Sequence, residues 1–109
     1  MTKQEYDALV KGSIIDDTWN SSYLVVEKSD ICVWFVSCYY NEDDNLVIVE
    51  DTLQIDSFGG LDGSDWVNCE HIVNECYTSD YENDTYIKHS LDDISLVDDG
   101  LAYSLKFAK

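Results

Sequence analysis

The chain predicts an α+β fold, a twisted antiparallel β-sheet in meander order with an N-terminal helix and one central helix packed on it. Three features point there. Residues 31–40 are apolar on both faces, the mark of a strand covered on both sides and therefore interior to its sheet. Short alternating runs separated by polar turns recur on either side of it. Two other stretches, 2–12 and 64–77, repeat their apolar residues at helical spacing instead. The 109 residues suffice for one domain with one core, 1–109.

The elements follow in order. Thr2 and Glu5 fit a capping box, with Tyr6, Leu9 and Val10 forming one apolar stripe and Gly12 placed to close the helix. A short strand over 13–16 precedes a second over 23–28, which turns through Ser29-Asp30 into the interior strand. The polar loop Asn41-Glu42-Asp43-Asp44-Asn45 leads to a strand over 46–53. Gly59, Gly60 and Gly63 then break the pattern as a strand-to-helix connection. Ser64 reads as the cap of the central helix, with Asp65 favourable at its positive end. Trp66, Cys69, Val73, Cys76 and Tyr77 supply its buried face. Strands over 85–89, 94–97 and 101–107 complete the sheet, the last two joined through Asp98-Asp99-Gly100.

Charge is the feature that bears on function. The chain has 23 acidic residues against six lysines and no arginine, a formal net charge of −17. From residue 29 to residue 87 there is no basic residue other than His71, while carboxylates continue throughout. Solubility needs an excess of only about 2–8 charges, and self-repulsion beyond that opposes a compact state. Aromatics at 13% and hydrophobic residues at 45% argue against a disordered acidic tail. The charge therefore calls for a strongly basic partner, and its sign sets aside direct binding to nucleic acid.

Chemistry finds few candidates, so the chain is not expected to be an enzyme. The two histidines, His71 and His89, come without a nucleophile elbow, and the glycine cluster lacks the lysine and hydroxyl of a phosphate loop. Cys69, His71 and Cys76 sit near Glu70 and Glu75, yet on a helix Cys69 and His71 would point about 200° apart. No metal or other cofactor is implied. Adjacent acids such as Glu50-Asp51, placed on a strand, would face opposite sides and not act as a pair.

No stretch approaches the roughly 20 apolar residues of a membrane span, and the first twelve residues lack a signal-peptide run. Cys32, Cys38, Cys69 and Cys76 are then best read as reduced thiols, and the sequons at Asn20 and Asn83 as unused. The expected setting is the cytoplasm of a host cell.

In size, in its charge, in the basic-poor block and in the acidic runs Glu42-Asp43-Asp44 and Asp80-Tyr81-Glu82-Asn83-Asp84, the whole chain resembles the small acidic DNA-mimic inhibitors of phages and mobile elements, the anti-restriction and anti-CRISPR proteins. That resemblance implies an inhibitor occupying the basic nucleic-acid channel of a nuclease, such as a Cas9-type effector. Two other readings stand beside it: an immunity protein against a basic nuclease toxin, and an acidic adaptor with no nuclease partner. The partner-binding candidates are the loop and turn acids Glu42, Asp43, Asp44, Asp80, Glu82, Asp84, Asp92, Asp93, Asp98 and Asp99.

Overall fold

In a computed structural model, which describes residues 1–19 and 21–108, a short N-terminal helix leads into a mixed sheet. The sequon residue Asn20 lies outside the described residues. The helix, α1 (Lys3–Asp7), starts as its sequence dictates: Thr2 Oγ1 accepts from the Glu5 amide at 3.1 Å, and the Thr2 amide donates to Glu5 Oε1 at 3.1 Å. It ends at Ala8, earlier than the apolar stripe predicts. Gly12 belongs to the approach to the first strand, not to the helix. Its φ is +99°, its N–H donates to Val25 O at 2.8 Å, and its carbonyl accepts from Val73 N at 2.9 Å. A β-carbon there would stand 2.5 Å from the Val73 oxygen, so close approach and positive φ both require glycine.

The strands β1 (Ser13–Asp17), β2 (Ser22–Lys28) and β3 (Val33–Tyr40) form an antiparallel meander. The Ser29–Cys32 turn, closed by a 2.8 Å bond from Ser29 N to Cys32 O, leaves Ile31 75% exposed outside β3. β3 is interior as expected. On its other side it pairs with both β4 (Leu46–Ile48) and β5 (Gln54–Asp56). The single strand expected over 46–53 is thus interrupted: Glu50–Thr52 form one 3-10 turn, which keeps both adjacent acids exposed and avoids the cost of turning one of them into the core.

The central helix expected over 64–77 is overturned. A single helical turn, α2 (Phe58–Leu61), lies before it, inside the glycine cluster, and the predicted helix itself is two strands, β6 (Trp66–Ile72) and β7 (Glu75–Asp80). Trp, Val, Ile, His, Cys and Asn populate this stretch, all weak helix formers and several of them strand formers. With partners available on β1 and β4, ladder pairing outweighs the helical spacing. The sheet is accordingly not antiparallel throughout, since β7 runs parallel to β4 through Val47 and Tyr77. β8 (Thr85–Ser90) pairs with β7 and completes the order β6-β1-β2-β3-β4-β7-β8.

Only Val73 and Asn74 separate β6 from β7, although four strands lie between them in that order, which makes five inter-strand spacings. A flat sheet would place them roughly 24 Å apart, and three chain steps span at most about 11 Å. The sheet must therefore curl strongly. Inside the curl lie Ile14, Leu24, Val36, Leu46 and Cys76, with Leu91 and Ile94. Over this face folds a separate hairpin, β9 (Ile94–Asp98) and β10 (Tyr103–Phe107), where Tyr103 meets Trp34 at 5.5 Å and Phe107 meets His89 at 4.4 Å between ring centres. On the outer face α1 and α2 cover a second cluster built from Tyr6, Leu9, Ile15, Val25, Phe35 and Leu61. No helix among the described residues is long and apolar enough to cross a membrane.

Candidate functional site

The ten predicted acids fall into four groups, and the fold treats them differently. Glu42, Asp43 and Asp44 occupy the β3–β4 loop, all exposed. Asn41 organises that loop, its Oδ1 accepting from the amides of Asp43 at 2.9 Å and Asn45 at 3.0 Å, while Asp44 adopts φ +60°. These three carboxylates are themselves left free of the loop's bonding and project outward.

Asp80, Glu82 and Asp84 make the β7–β8 turn. Asp80 is half-buried and serves the turn, its Oδ2 accepting from Asn83 Nδ2 at 2.8 Å. Glu82 and Asp84 are exposed, and Asp84 takes φ +50°. Because β4 and β7 are parallel, the loop before β4 lies beside the start of β7, and the turn after β7 lies beyond the end of β4. The two acidic clusters thus stand at opposite ends of this strand pair, about five residues or ~17 Å apart along it. A hollow of about 470 Å³ at the first end, lined by Asp44, His71, Asn74 and Glu75 among others, records the same juxtaposition.

Asp92, Asp93, Asp98 and Asp99 belong to the other layer. Asp92 and Asp93 sit in a 3-10 turn (Leu91–Asp93), where Ser90 Oγ accepts from the Asp92 amide, and Asp93 is half-buried. Asp98 accepts from Gly100 N at 2.9 Å. Asp99 accepts from the amides of Leu101 and Ala102 at 2.9 and 2.8 Å, bonds that hold its carboxyl below the usual range. These last two make the β9–β10 turn, a structural task.

Between the two ends of the β4–β7 pair lies a surface that the list of acids missed. On the outer face of β3, β4, β7 and β8, the ladder sets Tyr39 beside Val47, Val47 beside Tyr77, and Ser79 beside Tyr86. Val47 is 1% exposed at its centre, whereas Tyr39 and Tyr86 are 45% and 42% exposed. The Tyr86 phenol is pushed above its ordinary value by the neighbouring Tyr39 phenol first, then by loss of water, with Glu42 adding to the effect. Glu50 and Asp51, expected to face opposite sides of a strand, instead line one hollow of about 330 Å³ with Tyr39, Val49, Ser79 and Tyr81. The 3-10 turn brings them together. A doublet of acids inside an apolar run was the sequence signal for it.

The rest of the titratable groups are occupied by the fold. All four cysteines are free thiols. Burial pushes Cys38 and Cys76 up to about 12 and Cys69 up to about 11, which leaves them as thiols at neutral pH. Cys69 and His71 lie on a strand, where i and i+2 share a face, so the 200° helical argument fails. The irregularity at Glu70, φ +55°, falls between them, and no group of three or more metal-ligating side chains is gathered among the described residues. His89 Nε2 is 2.8 Å from Thr78 Oγ1, and His71 is exposed. Compared with family models, curated proteins and solved structures, the chain matches none of them.

Proposed function

We propose that this protein is an acidic inhibitor that binds the basic nucleic-acid-binding surface of a nuclease by imitating DNA, a Cas9-type effector being the partner of first choice. One observation carries the reading: the negative charge is not neutralised within the fold. Among the described residues only two ion pairs form, Lys3–Asp7 and Lys88–Glu75, each at 3.1 Å and each exposed. None of the ten loop and turn acids takes part in either. Two of the remaining lysines are also engaged, Lys28 lying 4.9 Å over the Tyr6 ring and Lys11 donating to the Ile94 carbonyl. Carboxylates on opposite ends of one rigid strand pair present separated rows of negative charge, which a groove lined with arginine and lysine would meet in place of phosphates.

The test is competition. Binding of target DNA by a Cas9–guide complex is measured with and without the protein across a salt series. The reading requires displacement of DNA and an association rate that falls steeply with salt, since the field already decays over ~8 Å at 0.15 M. Binding that leaves DNA in place, or a rate indifferent to salt, removes it.

A further inference from the structure

The outer face of the sheet is covered over β1, β2 and the start of β3 as far as Phe35, and uncovered from Tyr39 onward. The cluster beneath α1 and α2 includes residues of β1, β2 and β3 but none of β4, β7 or β8. On the bare part stand Tyr39, Tyr77 and Tyr86, and Tyr81 at the adjoining turn is 91% exposed. An uncovered aromatic sheet face of this kind marks a contact surface, not a scatter of single exposed residues. The charged side chains around it are acidic apart from Lys88, which the ladder sets beside Tyr77 and which is tied to Glu75 at 3.1 Å. The hollow shared by Tyr39 and Tyr81 has Glu50 and Asp51 on its wall, and an adjoining one joins Tyr81 and Tyr86 to Asp84.

We infer that this face is a docking surface for an arginine-bearing basic segment of a partner protein, with guanidinium planes stacking on Tyr39, Tyr81 and Tyr86 while Glu50 and Asp51 bond their edges. The inference rests on the reading above that the partner is basic, and deepens it by naming the surface. Charge complementarity selects the occupant. A second copy of the chain would bring another −17 against the same border, and an apolar segment would leave the rim carboxylates unpaired. Arginine is favoured over lysine because its planar, weakly hydrated guanidinium both stacks on aromatic faces and forks to carboxylates, whereas an ammonium is a strongly hydrated point charge. The face also gives the tyrosines a task that charge alone does not require.

Titration of the isotopically labelled protein with an arginine nonapeptide and a lysine nonapeptide, at 0.15 M salt, decides it. The arginine peptide should shift the resonances of Tyr39, Tyr81, Tyr86, Glu50 and Asp51 and bind several-fold more tightly than the lysine peptide. Tyr39→Leu with Tyr86→Leu should lose about tenfold in arginine-peptide affinity at unchanged net charge, while the paired phenylalanine variant keeps it within about twofold. Tyr81→Leu, at a residue too exposed to support the fold, should lose a few-fold and guards against a folding defect in the double variant. Equal affinity for the two peptides, no loss in the leucine variants, or shifts confined to the Asp92–Asp99 side would overturn the surface. DNA displacement from the Cas9–guide complex separates the two ideas. Leucine variants that displace DNA as well as the parent overturn the surface and leave mimicry standing. Docking at the tyrosines by a protein that displaces no DNA keeps the surface and removes mimicry.

Discussion

Phe35 and Tyr39 lie on the same strand and the same face, four residues apart, yet one is 1% exposed and the other 45%. At Phe35 the sheet is roofed: the ring meets Tyr23 at 5.4 Å and Trp66 at 5.7 Å, and α1 and α2 close over the cluster. At Tyr39 the roof has ended and the ring shares its surroundings with Tyr86, Val49, Glu50 and Asp51. One sheet therefore carries two kinds of surface. Where both faces are covered, the apolar residues hold the molecule together. Where the outer face is bare, aromatic rings and unpaired carboxylates are left facing outward, and the stability of the first region is what allows the second to stay exposed.

The largest expected effect tests that division directly. Phe35→Ala should cost about 3–5 kcal/mol of unfolding free energy, the range for deleting a buried aromatic, whereas Tyr39→Ala should cost less than about 1 kcal/mol. Denaturant titration of the two variants reads the difference, and equal losses would mean that the bare region also holds the fold.

Next in size comes binding. Changing Glu42, Asp43, Asp44, Asp80, Glu82 and Asp84 to their amides should lower affinity for a Cas9–guide complex by about 100-fold or more, since desolvated charge pairs couple by roughly 1.5–7 kcal/mol. The melting temperature should hold or rise as repulsion falls. Because Asp80 accepts from Asn83 within its turn, its share of the loss should be smaller than that of Glu82 or Asp84. Neutralising Asp62 and Asp65 near the covered half is the control, and a similar loss there would erase the distinction between the regions.

A smaller effect belongs to the stitch between β1 and β6. Gly12→Ala should destabilise by about 1–3 kcal/mol, through strain at positive φ and the clash with the Val73 carbonyl. Thermal unfolding reads it, and the bound state of any partner on the bare face should be unaffected once folding is corrected for.

The smallest is a pH effect at the inner side of the bare wing. His89 is held below its ordinary value by burial against Phe107, with Glu50 and Asp93 pulling the other way. A base whose folded value is lowered binds fewer protons folded than unfolded. Its contribution is thus full above about pH 6.5, the unfolded value, and is lost as pH falls through the lowered folded value. His89→Leu should flatten the slope of stability between pH 7 and 5, and a slope unchanged in that variant would assign it to other groups.

Much of this molecule is legible without coordinates. The capping box at Thr2 and Glu5, the interior strand β3 and the turn at Asp98-Asp99-Gly100 follow from local chemistry, since each depends on residues close in the chain. The large negative charge belongs to the same class, as no folding changes it. What local pattern could not supply was the state of 64–77. Its apolar spacing is helical, but many of its residue types are weak helix formers and several are strand formers, and the choice fell to pairing partners some 50 residues before β6 and 30 before β7. That choice reaches the candidate site. Had 64–77 been a helix, β7 would not lie along β4, and Tyr77 would not stand beside Val47. The side chains and their charge were set by sequence. Which of them share a face was decided only by long-range hydrogen bonding between strands, because a ladder forms wherever two edges meet, whatever the distance between them along the chain.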